Sequence, residues 1–459
     1  MNYSDRLNKV IPGGAHTYSR GDDQYPLNAP QILSHGKGAY VFDPDGNKFL
    51  DYGMGLRSVT VGYNYDEISE AGIAEIRKGN NLTRASLSEL EAAELMVSLF
   101  PWADQVKFAK NGSIVTTAAV KLARAYTGKK FVAMAAEHPF FTYDDWFIGT
   151  TPMDKGIPSE EKANSLKFNY NDIASLEKLF AEYPNQIACV ILEPATFVSP
   201  CAGDGKLILD KTACGNKTTC TDKIACTAKT LNFLHQVKAL CKKNGAVFIL
   251  DEMITGFRWD LQGAMKVYDI EPDLATFGKG MANGFALAAL VGKKEIMDLG
   301  GIRNEGAERV FLISTTHGSE MSAFGAFIKT VEVYKTLAVT SHLWDYGKKL
   351  ITGMNSISKN LGIENNFSAE GFACSPYYFT KDKNGQASLE FRTLFSQEMI
   401  KNGVLIPWVA LSYSHGSTEL DLTLAAVEKS LKVYKAALHD GVEKYLVGRA
   451  IKPVFRKYN

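Results

Sequence analysis

Asp251 and Lys279 are the residues whose types and spacing first suggest chemistry. Asp251 follows directly on an apolar, β-branched run, Ala246–Leu250, which reads as a buried parallel strand. Lys279 follows a second apolar run, Leu274–Phe277, and lies between Gly278 and Gly280. Open α/β sheets gather their ligands outside the carboxyl ends of the strands. An acid at one strand end and a lysine at the next would therefore face one crevice. A lysine amine can form a Schiff base with an aldehyde, and a carboxylate can pair with a protonated pyridine nitrogen. Together these two tasks are what pyridoxal phosphate (PLP) requires. The ion pair keeps the ring cationic, ready to accept electrons when a substrate carbon loses its proton. A lone lysine in a glycine turn is ordinarily solvated; the spaced acid is what changes the reading.

These residues must be held by a large α/β framework. A chain of 459 residues can bury one large core and a smaller one. LSELEAAELMVSLF (Leu87–Phe100) has helical apolar spacing and stops at Pro101. VKFAKNGSIVTTAAVKLARAYTG (Val106–Gly128) reads as strand, tight turn and helix. Its turn, Asn111-Gly112-Ser113, opens the helix, where unpaired N–H groups and partial positive charge suit a phosphate. Further strands are expected at FVAMAA, at Ile187–Thr196 ending in Glu193-Pro194, and at Ala286–Gly292. Helices are expected at Thr230–Lys243, Thr393–Asn402 and Glu419–Gly441. Near the start, GAYVFDPDGNKFLDYGMG alternates apolar and polar residues around Pro44-Asp45-Gly46, a hairpin pattern.

A net charge of +1 calls for neither nucleic acid nor an anionic membrane surface. No apolar run is long enough to span a bilayer, and MNYSDRLNKVIPGG lacks the apolar core of a signal peptide. A cytoplasmic location is expected. Cys189, Cys241 and Cys374 sit in apolar or helical contexts and read as core thiols. Cys201, Cys214, Cys220 and Cys226 fall in one polar stretch whose gaps exceed the C-x₂₋₄-C spacing of thiolate metal sites, and the stretch has no histidine. It reads as a cysteine-bearing surface insertion at about 200–229, with no metal expected.

DEMITGFR followed by PDLATFGKG resembles the signature of the class III aminotransferases of PLP fold type I, and the wider chain resembles their glutamate-1-semialdehyde aminomutase branch. The resemblance implies an α/β fold with a large domain, built on a mostly parallel central sheet flanked by helices. A small α+β domain would come from both termini. The domains expected are 1–55, 56–340 and 341–459, the outer two forming the small domain. Lys279 then carries the Schiff base, and Asp251 pairs with the ring nitrogen. Asn111, Gly112 and Ser113 stand where the family has S-G-T on phosphate. Met253 matches a residue that packs on one ring face, and Glu193 matches a family glutamate that organises hydrogen bonds near the ring. The family's aromatic-His-Gly is altered here to Glu137-His138-Pro139: His138 fits the histidine, and Phe140 is the candidate for a displaced stacking ring. IPGGAHTYSRG resembles the IPGG…R opening of the branch, which implies that Arg20 holds a substrate carboxylate with Thr17 beside it. Thr316, or Thr315 one residue away, matches a threonine that reaches the phosphate held by a neighbouring subunit. That implies a homodimer with a shared site.

The first functional reading is an aminotransferase working between a small amino donor and a carbonyl acceptor. The alternative is a 2,1-aminomutase of the glutamate-1-semialdehyde type, and a third reading is a cofactor-free binding relative. The IPGG…R loop favours the mutase. Against it, a glutamate that the mutase carries in the segment GVLIPWVALSYSHGSTELD is missing, and Trp408, Val409, Ala410 and Leu411 occupy the region.

Overall fold

The computed structural model describes residues 1–195, 198–201 and 232–459. They divide into two compact units: Met1–Tyr65 with Ser341–Asn459, and Asp66–Thr340. The sequence reading ended the first stretch at 55. Residues beyond it stay with the terminal unit because Tyr63 exchanges both backbone hydrogen bonds with Gly38, at 2.8 Å each.

The terminal unit opens with three short antiparallel strands, β1 (His35–Lys37), β2 (Tyr40–Phe42) and β3 (Lys48–Asp51). After β3 the backbone makes a left-handed turn: Met54, Gly55, Leu56 and Arg57 have φ of 40°, 56°, 61° and 69°. Three of the four carry side chains, so the turn must be held from outside. The buried Asp51 carboxylate accepts from Gly53 N–H at 2.7 Å, Met54 N–H at 2.9 Å and the Tyr63 hydroxyl at 2.7 Å. Trp408 Nε1 donates to the Gly53 carbonyl at 3.1 Å.

The second unit carries the seven strands that position the site: β4 (Gln105–Ala109), β5 (Phe131–Ala135), β6 (Ser165–Phe168), β7 (Ile187–Leu192), β8 (Val247–Asp251), β9 (Leu274–Phe277) and β10 (Ala288–Gly292). They form one sheet in the order β4-β10-β9-β8-β7-β5-β6. β6, β5, β7, β8 and β9 run parallel, and β10 is antiparallel to both its neighbours. Every residue of β5, β7, β8, β9 and β10 is buried. This explains why these strands read as continuous apolar runs rather than alternating ones. The helix Gly112–Thr127 follows β4 and buries Val115, Ala118, Ala119, Leu122 and Ala123. Two later helices, Phe233–Lys243 and Met321–Leu337, belong to the same unit.

The terminal unit resumes with the hairpin β11 (Phe367–Phe372) and β12 (Ser375–Thr380), the helix Leu389–Lys401, and β13 (Val404–Leu405), which adds parallel to β3. The helix Ser417–Asp440 completes it, and Phe367, Tyr378, Phe395 and Tyr434 pack into an aromatic core. Among the described residues no helix is long and apolar enough to cross a membrane.

Candidate active site

The sheet brings Asp251 and Lys279 to one edge. Asp251 is the last residue of β8 and pairs in register with Thr276 of β9. Lys279 follows β9 after Gly278, so both side chains start from the carboxyl ends of adjacent parallel strands. Because β10 is antiparallel to both β9 and β4, those two strands point the same way. The helix start at Gly112 therefore emerges at the same edge, with only the width of β10 between it and the lysine loop.

Met253 ties these parts together. A Cβ on Gly112 would lie 2.8 Å from Met253 Cε, and one on Gly278 would lie 2.4 Å from Met253 Sδ. A side chain at either position would have to displace the flexible end of Met253. Lys279 itself has φ 41°, in the left-handed region that a side chain adopts only under constraint. Its side chain is half-buried.

Asp251 is 2% exposed. Burial pushes its carboxyl up to about 6, while the Lys279 charge and hydrogen bonds from Thr276 and Met253 pull the other way. Both of those bonds go to Oδ1, from Thr276 Oγ1 at 2.9 Å and Met253 N–H at 3.0 Å. Oδ2 accepts from none of the described residues. A buried carboxylate with one oxygen fixed and the other open fits the pyridine nitrogen of PLP, whose proton would supply the missing partner. Thr276, which orients this carboxylate, was missed at the sequence level. The available signal was its in-register position opposite Asp251, which becomes readable only once the strand pairing is known.

At the proposed phosphate cradle, Asn111 caps the helix, its Oδ1 accepting from Ile114 N–H at 3.2 Å. Ser113 is buried, and its Oγ accepts the Tyr143 N–H at 3.1 Å, which leaves its own proton to donate. Thr116 Oγ1 donates to the Phe141 carbonyl at 2.8 Å, so the 141–143 segment is pinned to the first turn of this helix. Thr116 and Tyr143 were also missed. The cradle fits an anion: it combines a capped helix start, a free hydroxyl proton and glycine where a side chain would intrude.

Glu193 follows β7 and is buried. His138 is buried beside it, its Nδ1 accepting the Glu193 N–H at 3.0 Å. Phe140 lies in the same loop, 44% exposed and edge-on to Phe147 at 5.7 Å. Thr315 and Thr316 are exposed in the stretch before the helix Met321–Leu337, and the Thr316 carbonyl accepts from Asn81 Nδ2 at 3.2 Å. Arg20 and Thr17 belong to the terminal unit, where Arg20 ends the short turn Tyr18–Arg20 and is exposed. Its charge acts on Tyr25, which burial first and the Asp51 charge next push up to about 12 against the pull of Arg20. Cys189 and Cys241 are buried free thiols. Cys214, Cys220 and Cys226 lie outside the described residues, as does Thr196. Among the described residues no cluster of potential metal ligands occurs.

Comparison with known proteins gives a consistent result. The family model "Aminotransferase class-III" matches residues 20–199 and 225–408, leaving out 200–224 within the expected cysteine-bearing insertion. The chain is 28% identical over 444 residues to glutamate-1-semialdehyde 2,1-aminomutase of Francisella philomiragia, covering 92% of this chain and 95% of that one. It is 29% identical over 443 residues to 3-aminobutyryl-CoA aminotransferase of Cloacimonas acidaminovorans, covering 95% and 98%. Among solved structures, the PLP internal aldimine form of the FumI protein of Sphingopyxis sp. MTA144 superposes with a TM-score of 0.80 at 25% identity, over 95% of this chain and 96% of that one.

Proposed function

We infer the reaction from one premise, that this chain belongs to the class III aminotransferase family. It is a PLP-dependent enzyme that moves an amino group from a small amino donor to a carbonyl acceptor. The observation that carries this reading is the pairing of buried Asp251 with half-buried Lys279 at the carboxyl ends of adjacent strands.

PLP, when bound, supplies an electron sink that lets the C–H bond beside the substrate nitrogen ionise. The chain's own residues do the rest. Asp251 Oδ2 would hold the ring nitrogen, while the bonds to Oδ1 stop the carboxylate from turning away. Asn111, Gly112 and Ser113 would hold the phosphate, and Met253 would pack against the ring. Lys279 would hold the cofactor aldehyde, and its amine, when free, would carry a substrate proton as a general base. Arg20, with Thr17 beside it, holds a substrate carboxylate through its planar fork.

We favour an aminotransferase over a 2,1-aminomutase because Trp408–Leu411 offers no carboxylate where the mutase resemblance asks for one. Val409, Ala410 and Leu411 are core residues instead. A homodimer with Thr316 reaching the partner's phosphate is supported by the exposure of Thr316 and of apolar side chains in the same stretch, Phe311 at 72% and Ile302 at 79%.

The test is the visible spectrum of the PLP-loaded protein, followed by a panel of amino donors. A yellow band that borohydride fixes onto Lys279 is expected, with bleaching by one donor in the absence of a carbonyl acceptor. Lys279→Ala should abolish turnover and leave the fold intact. A fully active Lys279→Ala variant would end this mechanism. A product isomeric with a single substrate, formed without a second carbonyl compound, would shift the assignment to the mutase.

A further inference from the structure

His138 stands three residues beyond β5 with its imidazole only 8% exposed. Its Nδ1 accepts the backbone N–H of Glu193 at 3.0 Å. A backbone amide can only donate, so Nδ1 must present its lone pair and the proton of the neutral ring sits on Nε2. The ring is clamped edge-on by Phe141 at 5.8 Å and tilted against Tyr170 at 5.2 Å. Burial drives its pKa down to about 3, so the ring stays uncharged well into mild acid. Among the described residues Nε2 has no hydrogen-bond partner, and it is not one of the side-chain atoms sealed without a partner in the core.

Strand register locates this donor. Met134 of β5 pairs with Ile191 of β7, and Leu192 of β7 pairs with Leu250 of β8. Continuing each strand by a residue or two puts Ala136, Glu193 and Asp251 in one row along the carboxyl edge, about 4.8 Å apart. An imidazole bonded to the Glu193 amide lies in that row, on the side of Asp251 away from Lys279.

We propose that His138 is a tautomer-locked, uncharged N–H donor that binds an anionic oxygen of the ligand held at Asp251. The oxygen belongs either to the PLP ring, its 3-oxygen, or to the carboxylate of the amino substrate. The proposal rests on the PLP reading above and adds to it a group whose proton position is fixed by the fold rather than by pH.

Two experiments test it. Nitrogen NMR of the full-length chain labelled in histidine should show one ring with Nδ1 bare and Nε2 protonated from pH 5 to 8, lost in His138→Gln. This holds for the cofactor-free and PLP-loaded protein alike, so it is independent of whether the PLP reading stands. A bare Nε2, or a charged ring at pH 7, would overturn the proposal. The second compares the PLP-loaded wild type with His138→Phe, which keeps an aromatic ring, and His138→Gln, whose amide can still donate. If the ring oxygen is the acceptor, His138→Phe should move the pH midpoint of the visible band by about one unit, with the glutamine variant moving less. If a carboxylate is the acceptor, the band should stay put while KM for the donor rises roughly tenfold and kcat changes little. Folded variants with wild-type band titration and wild-type KM would reduce His138 to a packing residue. Failure of the wild-type protein to take up PLP would instead overturn the PLP reading.

Discussion

The contact between Met253 and Gly278 allows a quantitative prediction. Gly278 has φ 177°, an extended backbone open to any residue, so Gly278→Ala brings no backbone strain. The added Cβ, however, would lie 2.4 Å from Met253 Sδ, 3.2 Å from its Cε and 3.5 Å from Ala288 Cβ. Carbon and sulfur atoms settle near 3.5–4.0 Å, so Met253 must retreat by about 1 Å or more. Overpacking of this kind costs about 1–3 kcal/mol. A thioether is flexible, so the cost should fall on whatever Met253 supports rather than on folding. If Met253 packs against the PLP ring, Gly278→Ala should weaken PLP binding by about 10-fold to 100-fold, at 1.4 kcal/mol per tenfold. Denaturant unfolding of the cofactor-free protein should change little. The assay is PLP titration of cofactor-free protein, followed by the visible band, in a double-mutant cycle with Met253→Ala. Shortening Met253 removes the clash, so Gly278→Ala should lose most of its effect in that background. An equal effect in both backgrounds would refute the reasoning.

Three further predictions follow from the same structure. In the cofactor-free protein Asp251 keeps its proton up to about pH 6, whereas the unfolded chain releases it near 3.8. The folded state thus binds more protons in that window, and this group's contribution to stability is lost as pH rises through it, by about 3 kcal/mol. Cofactor-free Asp251→Asn should accordingly gain on the wild type in urea unfolding between pH 4 and 7; parallel pH profiles would contradict this. Asp51→Ala removes the acceptor of three hydrogen bonds around the left-handed turn, and should destabilise the protein by about 3 kcal/mol, read by urea unfolding. Arg20→Ala should raise KM for carboxylate-bearing donors roughly tenfold or more and leave uncharged amines unaffected; equal effects on both would remove Arg20 from substrate binding.

The central strands were legible because each of Val247–Asp251, Leu274–Phe277 and Ala288–Gly292 is a short apolar run closed by an acid or a glycine, and full burial on both faces demands that composition. Asp251 and Lys279 were legible for the same reason: strand ends are marked in the sequence, and in an open sheet strand ends are where ligands gather. What depended on register was not legible. Thr276 reaches Asp251 only because β8 and β9 pair as they do, and His138 meets Glu193 across a gap of 55 positions. The left-handed turn at Met54–Arg57 gives no sequence signal, since Met, Leu and Arg do not favour that conformation and the Asp51 carboxylate imposes it. Phe140 shows a different limit. An aromatic in a ligand loop and an aromatic at the surface look alike in sequence, and this one is edge-on to Phe147 and partly exposed.

The antiparallel strand β10 has a consequence for how the protein is made. During synthesis the helix start at Gly112 emerges first, Asp251 and Lys279 much later, and β10 only after all of them. Yet among the described residues β10 is the one neighbour of β4 in the sheet, and it is the spacer that sets Gly112 at its distance from the lysine. Until residues 288–292 have inserted, β4 and β9 each present an open edge to any passing strand. A nascent chain therefore holds Gly112, Asp251 and Lys279 before it holds the strand that spaces them.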